Sequence, residues 1–277
     1  MSAPLPDLLA APGAVKAAPA RRKTRGKASP LRIWLPLDFL VLLAAACFIW
    51  PQIYPVPKPV GGSILEAGLP PLSPGHILGT DPNGNDVLSR ILYGGQVSFE
   101  VGFSVTVIGL VVGGLLGVAA GYWRGPADAT ISRLLDVLIA FPALVLALAI
   151  AEGLGPSELH VIWALAIREQ TYMLAARLSG SRGRHIILRH VIPNFMPQLM
   201  TFALLGFGIA IILEGALSFL GLGIPLPEPS WGSMIAQGQQ VLSATPEQAL
   251  IPSAFLFATV VSLNVLGDAL RERWGVR

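Results

Sequence analysis

The stretch "VSFEVGFSVTVIGLVVGGLLGVAAGYW", residues 97–123, runs for 27 residues with Glu100 as its single charge. A helix of that length rises about 40 Å, more than the roughly 30 Å hydrocarbon core of a bilayer. It therefore predicts a membrane-spanning helix. Gly109, Gly113, Gly117 and Gly121 follow one another at intervals of four, which places them on one helical face. Small residues there let a neighbouring helix come close, which is how helices associate in lipid without a hydrophobic force between them. That face predicts tight helix packing, and lining of a permeation path at a subunit interface is compatible with it.

The rest of the chain is of the same kind. It is 53% hydrophobic and 13% charged, with a mean hydropathy of +0.65, whereas soluble domains carry roughly 25% charged residues. Further apolar runs lie at 33–50, 131–151, 196–220 and 249–270, with a nine-residue run at 159–167. At ~20 apolar residues per crossing, 277 residues accommodate about six spans. The expected fold is an all-α integral membrane protein, a polytopic helical bundle with a shortened fourth span. One cysteine, Cys47, excludes a disulfide framework within the chain.

Charge sets the expected topology. Residues 1–32 carry Lys16, Arg21, Arg22, Lys23, Arg25, Lys27 and Arg32 against Asp7 alone. They read as a disordered basic cytoplasmic tail, an inside-positive topology anchor beside the membrane lipid in preference to a binder of anionic lipid, and as meeting no nucleic acid. A signal peptide is a poor fit, because the run at 33–50 ends without a small-residue cleavage site. Residues 51–96 hold only Lys58 and Arg90 as cations and read as extracytoplasmic. Arg124, Arg133, the arginines between 168 and 189, and Arg271, Arg273 and Arg277 belong inside, which puts both termini in the cytoplasm.

Ionisable groups within spans mark candidate sites, since each costs several kcal/mol at mid-bilayer without a partner or a cavity. Asp38, Asp136 and Asp268 fall near cytoplasmic span ends. Glu100 and Glu214 do not have that excuse; they and Asn264, near the end of the last span, are the pathway candidates, with a structural hydrogen bond as the alternative for each carboxylate. In "LGTDPNGNDVLSR", residues 78–90, Asp81, Asn83 and Asn85 match the first positions of a calcium loop, but Asp86 and Leu92 stand where Gly and Glu are required. A turn at Pro82-Asn83-Gly84 followed by a helix cap at Asn85 or Asp86 fits better. No Walker-type phosphate loop, nucleophile elbow or zinc-protease motif is present. The chain is read as no enzyme, with no metal site and no directly bound cofactor.

Several longer segments carry a resemblance: "LGTDPNGNDVLSRILYG", "GYWRGPADATISRLLDVLIAFP", "EGALSFLGLGIPLPEPSWGSMIAQG" and "NVLGDALRERW". From about Leu78 to the C-terminus the chain resembles the second membrane subunit of ABC importers of the dipeptide, oligopeptide and nickel permease family. The resemblance implies a type I importer fold over residues 97–277, a place in a bacterial inner membrane, a second permease subunit, two ATPase subunits that use the ATP, and an extracytoplasmic solute-binding protein. It also implies that the basic loop 168–194 seats in an ATPase groove. Ala175, Ala176 and Gly180 match the family's coupling pattern, and Ile192, Pro193 and Asn194 match its end, while Leu174 replaces the expected glutamate. Small residues there allow close approach, and Arg177 and Arg184 can meet acids on a soluble subunit. The family's fourth span is complete, whereas here Arg168 and Glu169 follow nine apolar residues. Two other readings stay open: a gradient-driven secondary transporter or channel, and a degenerate, non-transporting permease scaffold.

Overall fold

The computed structural model describes residues 29–54, 56–122, 140–155, 157–168 and 192–274, with 129, 130, 133, 136 and 137 between them. Among the described residues, four helices are long and apolar enough to cross a bilayer: Pro30–Ile53, Val87–Leu116, Met196–Phe219 and Glu247–Trp274. The first opens as α1, Pro30–Phe48, with proline at its first turn, where a missing N–H costs nothing. It passes through Ile49 into the one-turn α2, Trp50–Ile53. The helix thus begins before residue 33, inside the stretch expected to be tail; residues 1–28 of that stretch lie outside the described residues.

Trp34 and Trp50 are both about half exposed and bracket this helix. They are 16 residues apart, about 24 Å along a helix, the placement of aromatic belts at two membrane surfaces. At the Trp34 end, Arg32 meets Glu272 at 3.6 Å and joins the start of α1 to the end of the last helix.

The next helix, α3, Val87–Tyr122, begins ten residues before the expected start at 97. Residues 87–96 therefore belong to the span and not to the loop segment 51–96. Asp86 explains the shift: its Oδ2 accepts from the Ser89 amide at 2.7 Å, capping the helix at the predicted place. The short helix expected after this cap is the first turns of α3.

The expected span at 131–151 is interrupted. Phe141 and Pro142 leave helical geometry, and α4, Ala143–Leu154, starts after Pro142. Proline disfavours the helical conformation in the residue before it and supplies no N–H, which accounts for the break. A turn at Gly155, with φ +85°, leads into α5, Glu158–Arg168, and covers the expected run at 159–167. This left-handed turn is one that glycine adopts without a Cβ penalty.

After the undescribed residues 169–191 come α6, Ile192–Phe219, then α7, Trp231–Gln240, and α8, Glu247–Trp274. Helix α6 starts four residues before the expected 196, and α8 runs four residues past the expected 270. Helix α7 has no counterpart among the expected spans. Ser230 caps it, exchanging side-chain and backbone hydrogen bonds with Ser233 at 2.9 and 3.2 Å.

Three apolar clusters hold the bundle. One joins Val101 and Val105 of α3 to Ala147, Val161, Leu165, Ala210 and Leu217, and so seats the α4–α5 hairpin on α3 and α6. A second joins Leu43 and Cys47 of α1 to Ile91 and Phe99 of α3 and to Trp231 and Met234 of α7. The third joins Ile33 and Leu40 to Ile211, Leu263 and Leu266. Only 28 to 44% of each apolar window is buried within the chain, so most of the oily surface faces outward.

Candidate functional site

Segment 57–86 lies over the Trp50 end of the bundle and is built around Asp81. Its Oδ1 accepts from the amides of Asn83 and Asn85 at 2.8 and 2.9 Å, and its Oδ2 accepts from Asn85 Nδ2 at 2.9 Å. Arg90 of α3 completes the set, with a guanidinium nitrogen 3.4 Å from Oδ2 and both side chains buried. The chain's own donors thus occupy the oxygens that a calcium loop would turn toward an ion. Gln248 of α8 donates to the Thr80 carbonyl at 3.0 Å and ties this segment to the last span.

Helix α7 enters between the spans from the same end. Trp231 is fully buried, its Nε1 donating to the Ile91 carbonyl at 3.0 Å. Gly232 lies so close to α6 that an added Cβ would overlap the Gly215 carbonyl oxygen. Beside this contact lies Glu214, 0% exposed, accepting from Ser98 Oγ of α3 at 3.0 Å and from Ser218 Oγ at 2.7 Å. Two hydroxyl donors satisfy a carboxylate that lipid would not. Ser218 Oγ in turn accepts from the Ile224 amide at 3.2 Å. Sequence reasoning singled out Glu214 but missed Ser98, Ser218 and α7; the signal for α7 was Ser230 preceding a Trp-Gly-Ser start.

The other candidates sit elsewhere. Asn264 is half-buried, its amide donating to the Val260 carbonyl of its own helix at 2.8 Å. Glu100 is exposed, and among the described residues no donor meets its carboxylate. Its carboxylate and that of Glu228 both repel the Glu158 carboxylate at the start of α5. Gly109 and Gly113 are buried along α3, whereas Gly117 and Gly121 are helical with side-chain surroundings outside the described residues. Ala175, Ala176, Arg177, Gly180 and Arg184 all fall outside the described residues; Pro193 and Asn194 stand in the first turn of α6.

Comparison with known proteins places this architecture. The family described as binding-protein-dependent transport system inner membrane component matches residues 163–274. A dipeptide transport system permease protein, DppC, of Alkalihalophilus pseudofirmus is 37% identical over 214 residues, covering 71% of this chain and 70% of the relative. A putative peptide transport system permease protein of Brucella suis is 36% identical over 270 residues, covering 91% and 89%. A glutathione transport system permease protein, GsiD, of Pectobacterium atrosepticum is 36% identical over 217 residues, covering 72% of each chain. These matches support the importer reading over the gradient-driven alternative and make the chain a transport component and no enzyme. Together with the four apolar helices, they make it a multi-pass inner membrane protein. The chain belongs to the family of permease subunits of binding-protein-dependent ABC importers of the peptide class.

Proposed function

We propose that this chain is one of two permease subunits of an ATP-driven importer for di- or oligopeptides or a related small solute. Relatives that carry the words dipeptide, peptide and glutathione transport, at 36 to 37% identity, are the observation behind this reading. A small metal chelate, such as one of nickel, is the other solute class compatible with the resemblance. The chain binds no ATP itself. It lines the translocation path together with the second permease and receives solute from an extracytoplasmic binding protein. Two ATPase subunits dock on the loop 168–194, through Ala175, Ala176, Gly180 and the arginines around them. Both termini face the cytoplasm, so the Trp50 end with segment 57–86 and α7 faces out. Of the three pathway candidates, Glu214 has both carboxylate oxygens and Asn264 its amide nitrogen hydrogen-bonded inside the subunit, which supports structural roles for them.

The test is purification of the chain from membranes together with its partners. Expected are a second permease, an ATPase, and solute uptake that stops when ATP hydrolysis is blocked. Nucleotide binding by the isolated chain at micromolar affinity, or uptake indifferent to ATP, refutes the reading. A non-transporting scaffold is the second reading, and the sequence is what favours it: Arg168 and Glu169 follow only nine apolar residues at 159–167. An intact assembly without any uptake would select the scaffold.

A further inference from the structure

Within segment 57–86 one imidazole meets two acids. His76 has 14% of its side chain exposed, with Nδ1 2.9 Å from Asp86 Oδ1 and Nε2 3.7 Å from Glu66 Oε2. Asp86 is the buried cap of α3, its other oxygen already engaged by the Ser89 amide. Glu66 ends a one-turn 3-10 helix, Ile64–Glu66, and its side chain is 54% exposed. The other charged groups on the segment and on the helix ends it meets are Lys58, the Asp81–Arg90 pair, and Glu247 at the start of α8. Among the described residues, Asp86 and Glu66 are the acids paired with the imidazole.

Donor counting decides what this arrangement does. A carboxylate accepts and does not donate, whereas a neutral imidazole carries one N–H and a protonated one carries two. Two ring nitrogens that both face carboxylate oxygens are therefore matched in full by the cation alone. In the neutral ring a single N–H is left for two acids. Asp86 is buried and has no water to turn to, so leaving it short is the costlier choice. Glu66 is half exposed and can turn to solvent; an Nε2 lone pair facing its carboxylate repels it. Apolar burial contributes little to the turn that Glu66 ends, because Ile64 and Leu65 are 84% and 96% exposed. Polar contacts hold it instead, such as the Thr80 hydroxyl donating to the Glu66 carbonyl and the Leu65 amide donating to Ser63 Oγ.

We infer that His76 is a proton-operated clasp: as imidazolium it fastens the 64–66 turn to the α3 cap through Glu66 and Asp86, and as neutral imidazole it keeps Asp86 and releases Glu66. Imidazole is the side chain that changes charge between about pH 5 and 8 in ordinary surroundings. The clasp therefore tightens on acidification and loosens as the pH rises. It is a property of the subunit and goes beyond the functional reading; that it answers to the extracytoplasmic pH rests on the topology proposed above.

Hydrogen exchange of the full chain in lipid nanodiscs tests the clasp apart from that topology, because both faces then share one buffer. Backbone amides of residues 64–80 are followed by mass spectrometry at about pH 5.5 and about pH 8, with the chemical pH dependence of exchange divided out. At the acid pH they are expected to be about two- to fivefold better protected, the scale of one partly exposed ion pair. The Ser89 amide, capped in both states, is expected to keep its protection. His76→Gln carries no charge at either pH and is expected to lose the difference. Glu66→Gln alters an exposed side chain and is expected to lose it as well, since an amide donates to the neutral ring and accepts from the charged one; it decides the matter even where His76→Gln does not fold. Equal protection of the native chain at the two pH values overturns the clasp. A difference that persists undiminished in Glu66→Gln overturns it too, because its source is then another group.

Discussion

Replacing Trp231 with alanine tests how the loop end is held. The indole is 0% exposed and donates to Ile91 at 3.0 Å. Its ring centroid lies 5.9 Å from Phe99, edge-on, and 6.4 Å from Phe255. Removing it leaves a cavity in the cluster that joins α1, α3 and α7, and truncations of this size in a core cost about 3–5 kcal/mol. At about 1.4 kcal/mol per factor of ten, the population in which the cluster is open should rise between about a hundred- and a few thousandfold. Cys47 reports that population directly. It is the sole cysteine of the chain, 0% exposed and part of the same cluster. A thiol reagent labels it only when the cluster opens, and under fast reclosing the rate follows the open fraction. The alanine variant should therefore label at least about a hundredfold faster than the native chain. Trp231→Phe, which keeps most of the ring and loses the hydrogen bond, should label about fivefold faster, since one such bond contributes about 1 kcal/mol. A cavity that merely admitted the reagent would leave heat stability unchanged, so loss of folded chain on heating is followed alongside. Labelling of Trp231→Ala within threefold of native, with unchanged heat stability, would refute the reasoning.

Three further outcomes follow from the same structure. Asp81→Ala removes the acceptor of three hydrogen bonds and leaves Arg90 buried without its partner, a loss of about 3–5 kcal/mol; heat stability should fall while Asp81→Asn falls less, and equal stability of all three would remove the cluster from the fold's support. Gly180→Trp should leave membrane levels intact and lower the stimulation of the ATPase, because a bulky ring at a close-approach position holds two surfaces apart; unchanged stimulation would take Gly180 out of the interface. Cys47→Ala combined with Ser181→Cys should be protected from a membrane-impermeant thiol reagent until cells are opened, whereas labelling in intact cells would place the basic loop outside.

Much of the bundle was legible one-dimensionally. Long apolar runs announce spans because a bilayer core leaves no other way to satisfy so many backbone groups, and four of the runs are long helices at nearly the expected places. The cap at Asp86 was readable from Pro82-Asn83-Gly84 and an acid, since side-chain-to-backbone bonds of that kind are local. Helix boundaries were less legible. Residues 87–96 are polar enough to read as loop, yet the cap and the packing of Ile91 against Trp231 make them helix. The run at 131–151 looks continuous by hydropathy, but Pro142 divides it, because hydropathy counts oil and ignores the missing N–H.

What the sequence determined by itself is therefore the class of solvent this protein lives in, the approximate number and positions of its helices, and the family whose segments it shares. Those properties depend on composition and on neighbours a few residues apart. Only the tertiary structure decided the fates of the polar groups within the spans, because each depends on partners far away in the chain. Glu214 is a buried acceptor because Ser98, 116 residues earlier, meets it across a helix interface. Gln248 of α8 reaches back 168 residues to Thr80. Glu100, read on the same grounds as Glu214, emerges exposed in an apolar groove, with no donor to its carboxylate among the described residues. Hydropathy treats the two glutamates alike; packing separates them, since the energy of a charge in a membrane is set by whether a donor stands within about 3 Å of it.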